Sequence, residues 1–352
     1  MNKKMFTHTY MCLKNAHMEE NMNENSVVLK VKKAMLCMTR QCWEQGITAQ
    51  ALLETGDYER LSLLVRDMVL RQSEDGRLCN VENTPAVTDS TFCVLPVLEI
   101  GSREQQSKYI EAVEKNMDYL LHHAPRTPDG VICHMLGTQE IWADSAAFTP
   151  AALARTGHYR EAFAQMKGYL KKLYDSEKKL YYHVWCEDTG EYRRKVLWGI
   201  GNGWILTGLY RLYLELPDSC REEKRDTYIN FKELLDEMLL WENENHLFHD
   251  ILDRPDSFEE TEVSEMVAYI IYRAVREENL PVKYLDRADQ IRQAVLVKVS
   301  DQGLLMDCAS SPDFLYPGTS VEGQAHFLMM EQARSQILEQ THILLPEKIC
   351  QS

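Results

Sequence analysis

Two aspartates in similar local sequences could do acid–base chemistry. Asp89 begins Asp89-Ser-Thr-Phe and Asp144 begins Asp144-Ser-Ala-Ala, each before a run of small and apolar residues. An Asp at a helix start is commonly an N-cap, whose carboxylate accepts backbone N–H bonds. If the two helices are neighbours, however, the carboxylates converge, and two close carboxylates push their pKa values apart so that one holds a proton near neutrality. We predict that Asp144 and Asp89 are the catalytic residues.

Tryptophan and histidine are concentrated beside these acids, at loop positions between residues 134 and 204. A core does not require that composition, whereas a sugar-binding cleft uses flat indole faces against a pyranose ring. Each histidine alone could equally be a hydrogen-bonded structural residue. In the Trp198-Gly-Ile-Gly-Asn202-Gly-Trp204 turn, the glycines would let the backbone approach a ligand, and the amide of Asn202 could bond hydroxyls. The predicted substrate-binding residues are Trp43, His134, Trp142, His183, Trp185, Trp198, Asn202 and Trp204.

Other chemistries lack a matching motif. No strand precedes the glycine-rich turn, so it is not a dinucleotide fingerprint, and no Gly-Lys-Ser/Thr follows it. The His246-Leu-Phe-His249-Asp250 segment lacks the His-Glu-x-x-His spacing of a metalloprotease, and it is better explained as a loop that orders a helix start. Ten cysteines are scattered without C-x-x-C spacing, which indicates reduced thiols in a cytoplasmic protein. We expect neither a metal nor a cofactor.

The composition argues against some classes of binding partner. Over 352 residues the formal net charge is −15, which makes nucleic acid a poor partner, although a local pocket could still bind a small anion. No apolar run approaches the length of a membrane helix, and the first residues lack a secretory apolar region, so we expect a cytoplasmic protein. Residues 1–25 are a polar lead-in, and residues 26–352 form one catalytic domain.

A helical repeat accounts for most of the chain. Six helices start with a polar or aromatic residue and continue through small and apolar ones, at intervals of about 46 to 60 residues, as expected for paired-helix repeats. The six starts are at Trp43, Asp89, Asp144, Gly201, Glu260 and Ser320. The first five are each followed by a more charged helix, within Tyr58–Gln72, Glu104–His122, Tyr159–Tyr174, Arg221–Trp241 and Val282–Ser300.

Such hairpins could form an open superhelix or close into a ring. The inner helices are apolar almost all round, as burial between two layers requires, and six hairpins close an (α/α)6 barrel. We therefore predict an all-α fold of this kind. The connections from outer to inner helices are long, and they gather on the face where the inner helices begin, which is where we expect the site.

On these residues the sequence resembles glycoside hydrolase families 88 and 105, the unsaturated glucuronyl and rhamnogalacturonyl hydrolases. The similarity covers roughly residues 30–335. It is carried by Trp43-Glu-Gln-Gly, Trp142-Ala-Asp144, the Trp198–Trp204 turn, the Leu247–Phe258 segment and Ser320-Val-Glu-Gly-Gln324. The resemblance implies an (α/α)6 barrel, in agreement with the repeat.

The resemblance also implies a reaction. Its substrate is a small acidic oligosaccharide with a terminal 4,5-unsaturated uronic acid left by a polysaccharide lyase. The enol-ether double bond is hydrated: one Asp protonates C4 and helps water add at C5, and the hemiketal collapses to release the neighbouring sugar. By position, Asp144 is the general acid/base and Asp89 the assisting carboxylate.

One departure concerns the substrate. Many relatives have Arg where this chain has Ile200, near the acidic sugar, and Arg193 or Arg194 is a candidate replacement. Two alternatives remain open: another (α/α)6-barrel sugar enzyme, such as an inverting glycosidase or an epimerase, and a carbohydrate-binding relative without turnover.

Overall fold

The computed structural model describes residues 26–81 and 84–344, so the predicted lead-in, residues 1–25, lies outside the described part of the chain. Helices dominate this part. They are α1 (26–38), α2 (Cys42–Glu54), α3 (Tyr58–Leu70), α4 (Val94–Arg103), α5 (Ser107–His122), α6 (Thr149–Arg155), α7 (Tyr159–Leu173), α8 (Gly199–Glu215), α9 (Arg221–Met238), α10 (Thr261–Arg276), α11 (Leu285–Val297) and α12 (Val321–Leu344).

The even-numbered helices form a closed inner ring. Each contacts the next even-numbered helix, and α12 contacts α2, which completes the circle. Inner helices are buried around most of their circumference, as in α8, where residues 199–212 are all buried. Outer helices bury one stripe, as in α9, where Thr227, Phe231, Leu234, Leu235 and Met238 are buried. The prediction of an (α/α)6 barrel is confirmed.

The sixth outer helix comes from the beginning of the chain rather than from its end. Helix α1 buries Val31 and Met35, and its Lys32 pairs with Asp57 at the start of α3. On its other side, the backbone of Lys30 lies against Gly303, in the loop between α11 and α12. The sequence predicted five outer helices, and the structure supplies the remaining one from residues 26–38.

Short strands order the long connections that enter the inner helices. Strands β1 (Glu140–Trp142), β4 (Val184–Cys186) and β5 (Glu191–Arg194) form an antiparallel sheet in the order β1-β4-β5. The remaining strands form antiparallel pairs: β2 (Tyr174–Asp175) with β3 (Leu180–Tyr181), β6 (Phe248–His249) with β7 (Glu259–Glu260), and β8 (Cys308–Ala309) with β9 (Pro317–Gly318). These pairings hold long loops in fixed positions on the face where the inner helices begin.

The glycine-rich segment after Trp198 is helical, which corrects its prediction as a turn. Helix α8 begins at Gly199, and its glycines allow close packing rather than ligand approach. A Cβ at Gly201 would lie 3.2 Å from the Cβ of Ala143, and one at Gly208 would lie 2.0 Å from the carbonyl oxygen of Ala146. The glycines therefore let α8 pack directly against the turn that carries Asp144.

We predict that Gly208→Ala destabilises the barrel by about 1–3 kcal/mol, the range for overpacking, because the atom in its way is a backbone oxygen. Gly101→Ala in α4 is the control, since its added Cβ would lie 3.0 Å from Cδ1 of Ile110 and 3.1 Å from Cβ of Tyr109, contacts that a shift of a few tenths of an ångström relieves. Urea unfolding followed by circular dichroism measures both. Equal effects at the two positions would contradict the proposed packing role of Gly208.

Candidate active site

A cavity of about 220 Å³ lies where the inner helices begin. Both predicted catalytic aspartates line it, together with five of the eight predicted substrate-binding residues. Its lining is Trp43, Thr84, Pro85, Ala86, Asp89, Phe92, His134, Met135, Trp142, Asp144, Trp198, Ile200, Trp204, Glu262, Phe314 and Glu322. Indole and phenyl faces thus enclose a space with four carboxyl groups around it.

The two aspartates are held by short 3-10 turns rather than by the α-helices themselves. Asp89 begins the turn Asp89–Cys93, and Asp144 lies in the turn Ala143–Ala146. The N-cap residues of these turns are Thr88 and Trp142, and both aspartates lie inside their turns, so the N-cap explanation does not account for them. The side chain of Asp89 is 9% exposed and that of Asp144 is 23% exposed. Both carboxyl groups therefore face the same cavity with limited access to water.

His183 connects Asp144 to Arg194 behind the cavity wall. The Nε2 atom of His183 lies 3.2 Å from Oδ2 of Asp144, and its Nδ1 atom lies 3.1 Å from Nη1 of Arg194. Because a guanidinium group can only donate, Nδ1 of His183 must accept, and the ring proton lies on Nε2. His183 is therefore a neutral donor to the Asp144 carboxylate. Its burial is the main reason that its pKa is lowered.

His134 occupies the other side of the aspartate pair. Its ring stacks on Trp142 with centroids 4.4 Å apart, and its Nδ1 lies 2.7 Å from the hydroxyl of Thr88. The Nε2 atom lies 3.9 Å from the Asp89 carboxylate. Burial lowers the pKa of His134 to about 4, so the ring is neutral and gives no positive charge to the site.

Two glutamates complete the lining, and the sequence reasoning did not select them. Glu322 accepts a hydrogen bond of 2.7 Å from the indole N–H of Trp43, and Glu262 accepts one of 2.9 Å from the hydroxyl of Ser320. Oε1 of Glu262 is buried without a hydrogen-bond partner. Their signal was present, since each lies two residues after a predicted helix start, in the first turn of α10 or α12.

The surroundings shift the pKa values of the two aspartates in opposite directions. Burial, then the charges of Asp144 and Glu322, raise the pKa of Asp89 to about 7. Burial also opposes ionisation of Asp144, but the hydrogen bond that His183 donates outweighs it and lowers the pKa of Asp144. Near neutral pH Asp144 is thus ionised, and a proton bound by the pair resides on Asp89, which is the separation of pKa values expected for neighbouring carboxyl groups.

Positive charge is absent from the cavity lining among the described residues. Ile200 lines the cavity itself. Arg194 stands behind His183, with its guanidinium carbon 5.1 Å from the ring centre of Trp198. Arg193 is exposed and pairs with Glu140 at 3.1 Å. Neither arginine is among the residues that line the cavity.

Three predicted binding residues lie outside the lining. His183 is the hydrogen-bond partner of Asp144 described above. Asn202 is fully buried, and its amide bonds the backbone of Tyr181 and Trp198, so its prediction as a hydroxyl-binding residue is wrong. The indole N–H of Trp185 is donated to Glu187, 2.7 Å away. A register irregularity between Val184 and Trp185 breaks the strand alternation that would keep Trp185 on the same side as His183.

Other features do not compete with this cavity. His249 bonds the carbonyl of Ser257, and Asp250 accepts the indole N–H of Trp198, so both fix the loop before α10. A larger groove of about 610 Å³ lies between the outer helices α7 and α9, and it contains none of the predicted site residues. In the part of the chain that the structure describes, no helix is both long and apolar enough to span a membrane.

Comparison with known proteins agrees with the fold and with the family that the sequence resembles. The family model for Glycosyl Hydrolase Family 88 matches residues 12–315. The unsaturated rhamnogalacturonyl hydrolase YesR of Bacillus subtilis is 25% identical over 278 residues, covering 74% of this chain and 77% of YesR. A possible family 105 member from Salmonella enterica superimposes with a TM-score of 0.78 at 19% identity, covering 90% of this chain and 94% of that one. A heparin-specific unsaturated glucuronyl hydrolase superimposes with a TM-score of 0.67 at 11% identity, covering 90% and 96%.

From the raised pKa values of the buried acids we predict that the folded state becomes less stable as the pH rises. Burial raises the pKa of Asp89 to about 7 and those of Glu262 and Glu322 to about 8, above the values of unfolded acids. The folded state therefore keeps protons that the unfolded chain releases, and stability falls between about pH 4 and pH 8. Urea midpoints at pH 6 and pH 9 should show a smaller fall for Glu322→Gln than for the wild type. Glu114→Gln, at an exposed position on α5, should fall as the wild type does.

Proposed function

The chain belongs to glycosyl hydrolase family 88, and from that premise we propose that it hydrolyses lyase-generated oligosaccharides at a terminal 4,5-unsaturated uronic acid. A rhamnogalacturonan-type substrate is the preferred one, since YesR is an unsaturated rhamnogalacturonyl hydrolase. The observation that carries the proposal is the shared cavity of Asp89 and Asp144, in which one carboxyl group holds a proton and the other does not. Hydration of a double bond requires both a proton donor and a base.

Binding of the substrate determines which of the two aspartates carries the proton. When the sugar fills the cavity, it excludes water from Asp144, whose side chain is 23% exposed, more than from Asp89, whose side chain is 9% exposed. The loss of water raises the pKa of Asp144 more than that of Asp89, so the proton of the pair passes from Asp89 to Asp144. Asp144 then becomes the general acid that the resemblance implies, and Asp89 becomes the assisting carboxylate.

The proposed reaction then needs only this pair and one water molecule. Asp144 gives its proton to C4, and the positive charge that develops at C5 is shared with the ring oxygen. Water adds at C5 as a carboxylate of the pair accepts its proton. Opening of the hemiketal breaks the bond between C5 and the ring oxygen and leaves a hemiacetal at C1. Breakdown of that hemiacetal releases the neighbouring sugar, and the pair has recovered the proton that it gave. His183 keeps Asp144 oriented throughout by donating from Nε2.

The aromatic lining supports a sugar ring in this position. Trp142, Trp198 and Trp204 border the cavity with their rings, and the buried N–H of Trp198 is occupied by Asp250, which fixes the orientation of that ring. Flat apolar faces bind the C–H face of a sugar, while the carboxyl groups around the cavity bind hydroxyl groups. The volume of about 220 Å³ admits one monosaccharide unit, so the remainder of the oligosaccharide extends toward solvent.

The first prediction of this proposal concerns the aspartates. With lyase-generated unsaturated disaccharides, the absorbance of the conjugated alkene should fall, and Asp144→Asn should slow that fall at least about 100-fold, the usual scale for a lost acid–base group. Asp89→Asn should also slow it. Asp256→Asn, in an exposed loop on the same face, should react at the wild-type rate.

Two results would contradict the residue assignment or the reaction. If the absorbance of the substrate falls as fast with Asp144→Asn as with the wild type, Asp144 is not the acid. If the wild type cleaves saturated glycosides and leaves unsaturated ones intact, the protein is an ordinary glycosidase on the same fold.

A second prediction concerns Ile200 and the charge of the substrate. With no cation in the described lining, the wild type should turn over the methyl ester of the unsaturated uronate with a kcat/KM within about tenfold of that for the free acid. Ile200→Arg should then favour the free acid by about tenfold or more, because a charge-assisted hydrogen bond contributes roughly 1.5–3 kcal/mol. Ile200→Met is the uncharged control and should leave the ratio unchanged.

A wild-type preference for the free acid above about 100-fold would show that a cation already reaches the carboxylate. Arg194→Met would then identify that cation, since Arg194 is the guanidinium group bonded to the partner of Asp144. This outcome would overturn the neutral-pocket prediction while leaving the hydration reaction intact.

A further inference from the structure

Three buried cysteines from separate segments meet behind the cavity wall. The sulfur atoms of Cys42, Cys79 and Cys93 all lie within 4.8 Å of one another. Each residue is at most 2% exposed. Thiolates bound to one metal ion at about 2.3 Å stand about 4 Å apart, so a small contraction of this cluster would bring all three into contact with an ion.

We propose that these residues form a three-thiolate site for a soft metal ion, with monovalent copper as its preferred occupant. Thiolate sulfur selects soft ions, and structural zinc requires four ligands. Among the described residues, no histidine nitrogen or carboxylate oxygen joins the three sulfur atoms as a fourth ligand. A trigonal set of sulfur atoms suits Cu(I), which forms stable three-coordinate thiolate complexes.

The surrounding contacts hold the three sulfur atoms in place before any ion arrives. The backbone N–H of Leu78 is donated to the Asn116 side chain on α5, and that of Cys79 to the carbonyl of Met68 on α3. The thiol of Cys42 points to the carbonyl of Leu78 at 3.5 Å. A site whose ligands are already ordered loses less conformational entropy on binding.

Two of the three cysteines lie next in sequence to a residue of the cavity or share a turn with one. Cys42 is the first residue of α2 and precedes Trp43, which lines the cavity. Cys93 ends the 3-10 turn that Asp89 begins. An ion bound to all three sulfur atoms would cross-link α2, the loop before Asp89 and the turn that carries Asp89. Binding requires thiolates, so it releases thiol protons to solvent, and it stabilises the folded state because the unfolded chain lacks the preformed site.

The spacing argument missed this cluster because its members are not close in sequence. Residues 42, 79 and 93 belong to three segments, and the packing of α2 against the turn Asp89–Cys93 and the loop before it brings them together. Local motifs such as C-x-x-C detect ligands from a single loop.

The test is a competition for Cu(I) in the full-length, fully reduced protein without oxygen, with a chromophoric Cu(I) chelator as competitor. The wild type should withdraw one ion per chain at the highest affinity. Cys79→Ser should bind that ion more than about 100-fold more weakly, since losing even a group outside the ligand shell weakens metal affinity 10–100-fold. Cys133→Ser is the matched control, because Cys133 is equally buried and lies outside the cluster.

A second measurement keeps the result separate from a folding defect. One equivalent of Cu(I) should raise the Tm of the wild type and of Cys133→Ser but not that of Cys79→Ser or Cys93→Ala, and far-ultraviolet circular dichroism verifies that each variant is folded. The proposal is overturned if the wild type fails to compete with the chelator, or if folded Cys79→Ser binds as tightly as the wild type. It is also overturned if zinc alone binds tightly to the cluster and Cu(I) does not.

Discussion

The close contact between helix α8 and the turn that holds Asp144 is the constraint on which the site depends. Gly201 faces Ala143, where an added Cβ would make a tight contact of 3.2 Å, and Gly208 faces the backbone of Ala146, which leaves no room for a side chain. The same helix places Trp198, Ile200 and Trp204 on the cavity. A larger residue at these glycines would push the turn away from α8. The glycines therefore set the distance between the acid and the aromatic wall, and they do so without touching a ligand.

Burial affects the pKa values of the carboxyl groups in the cavity more than ion pairs do. Four carboxyl groups border a space with no cation in its described lining, and three of them have raised pKa values for which burial is the largest cause. Asp144 differs because the neutral ring of His183 donates to it, and Arg194 fixes the direction of that donation. One hydrogen bond thus makes two chemically identical side chains, Asp89 and Asp144, unequal. That inequality gives the pair its capacity for proton transfer.

Much of this arrangement was predictable from the sequence, and the failures have physical reasons. The helical repeat gave the barrel, and the matching helix starts placed Asp89 and Asp144 on one cavity, because burial between two layers imposes a pattern that is visible in composition. Asn202 was misassigned because a polar side chain beside glycines looks the same whether it bonds a ligand or backbone. Glu262 and Glu322 were overlooked because glutamate in a first helical turn is ordinary. The contribution of α1 was missed because each outer helix was predicted to follow an inner helix, whereas α1 precedes the first inner helix.

The position of α1, the sixth outer helix, affects how the barrel is assembled. Helix α1 is made before α2, yet its position lies beside the loop that leads into α12, and α12 must also reach α2 to finish the ring. During synthesis the growing barrel therefore has an open seam, with apolar surfaces of α2 uncovered until α12 has left the ribosome. Such long-range closure is slow and exposes surfaces that aggregate, so this seam is where nascent chains would most need a chaperone.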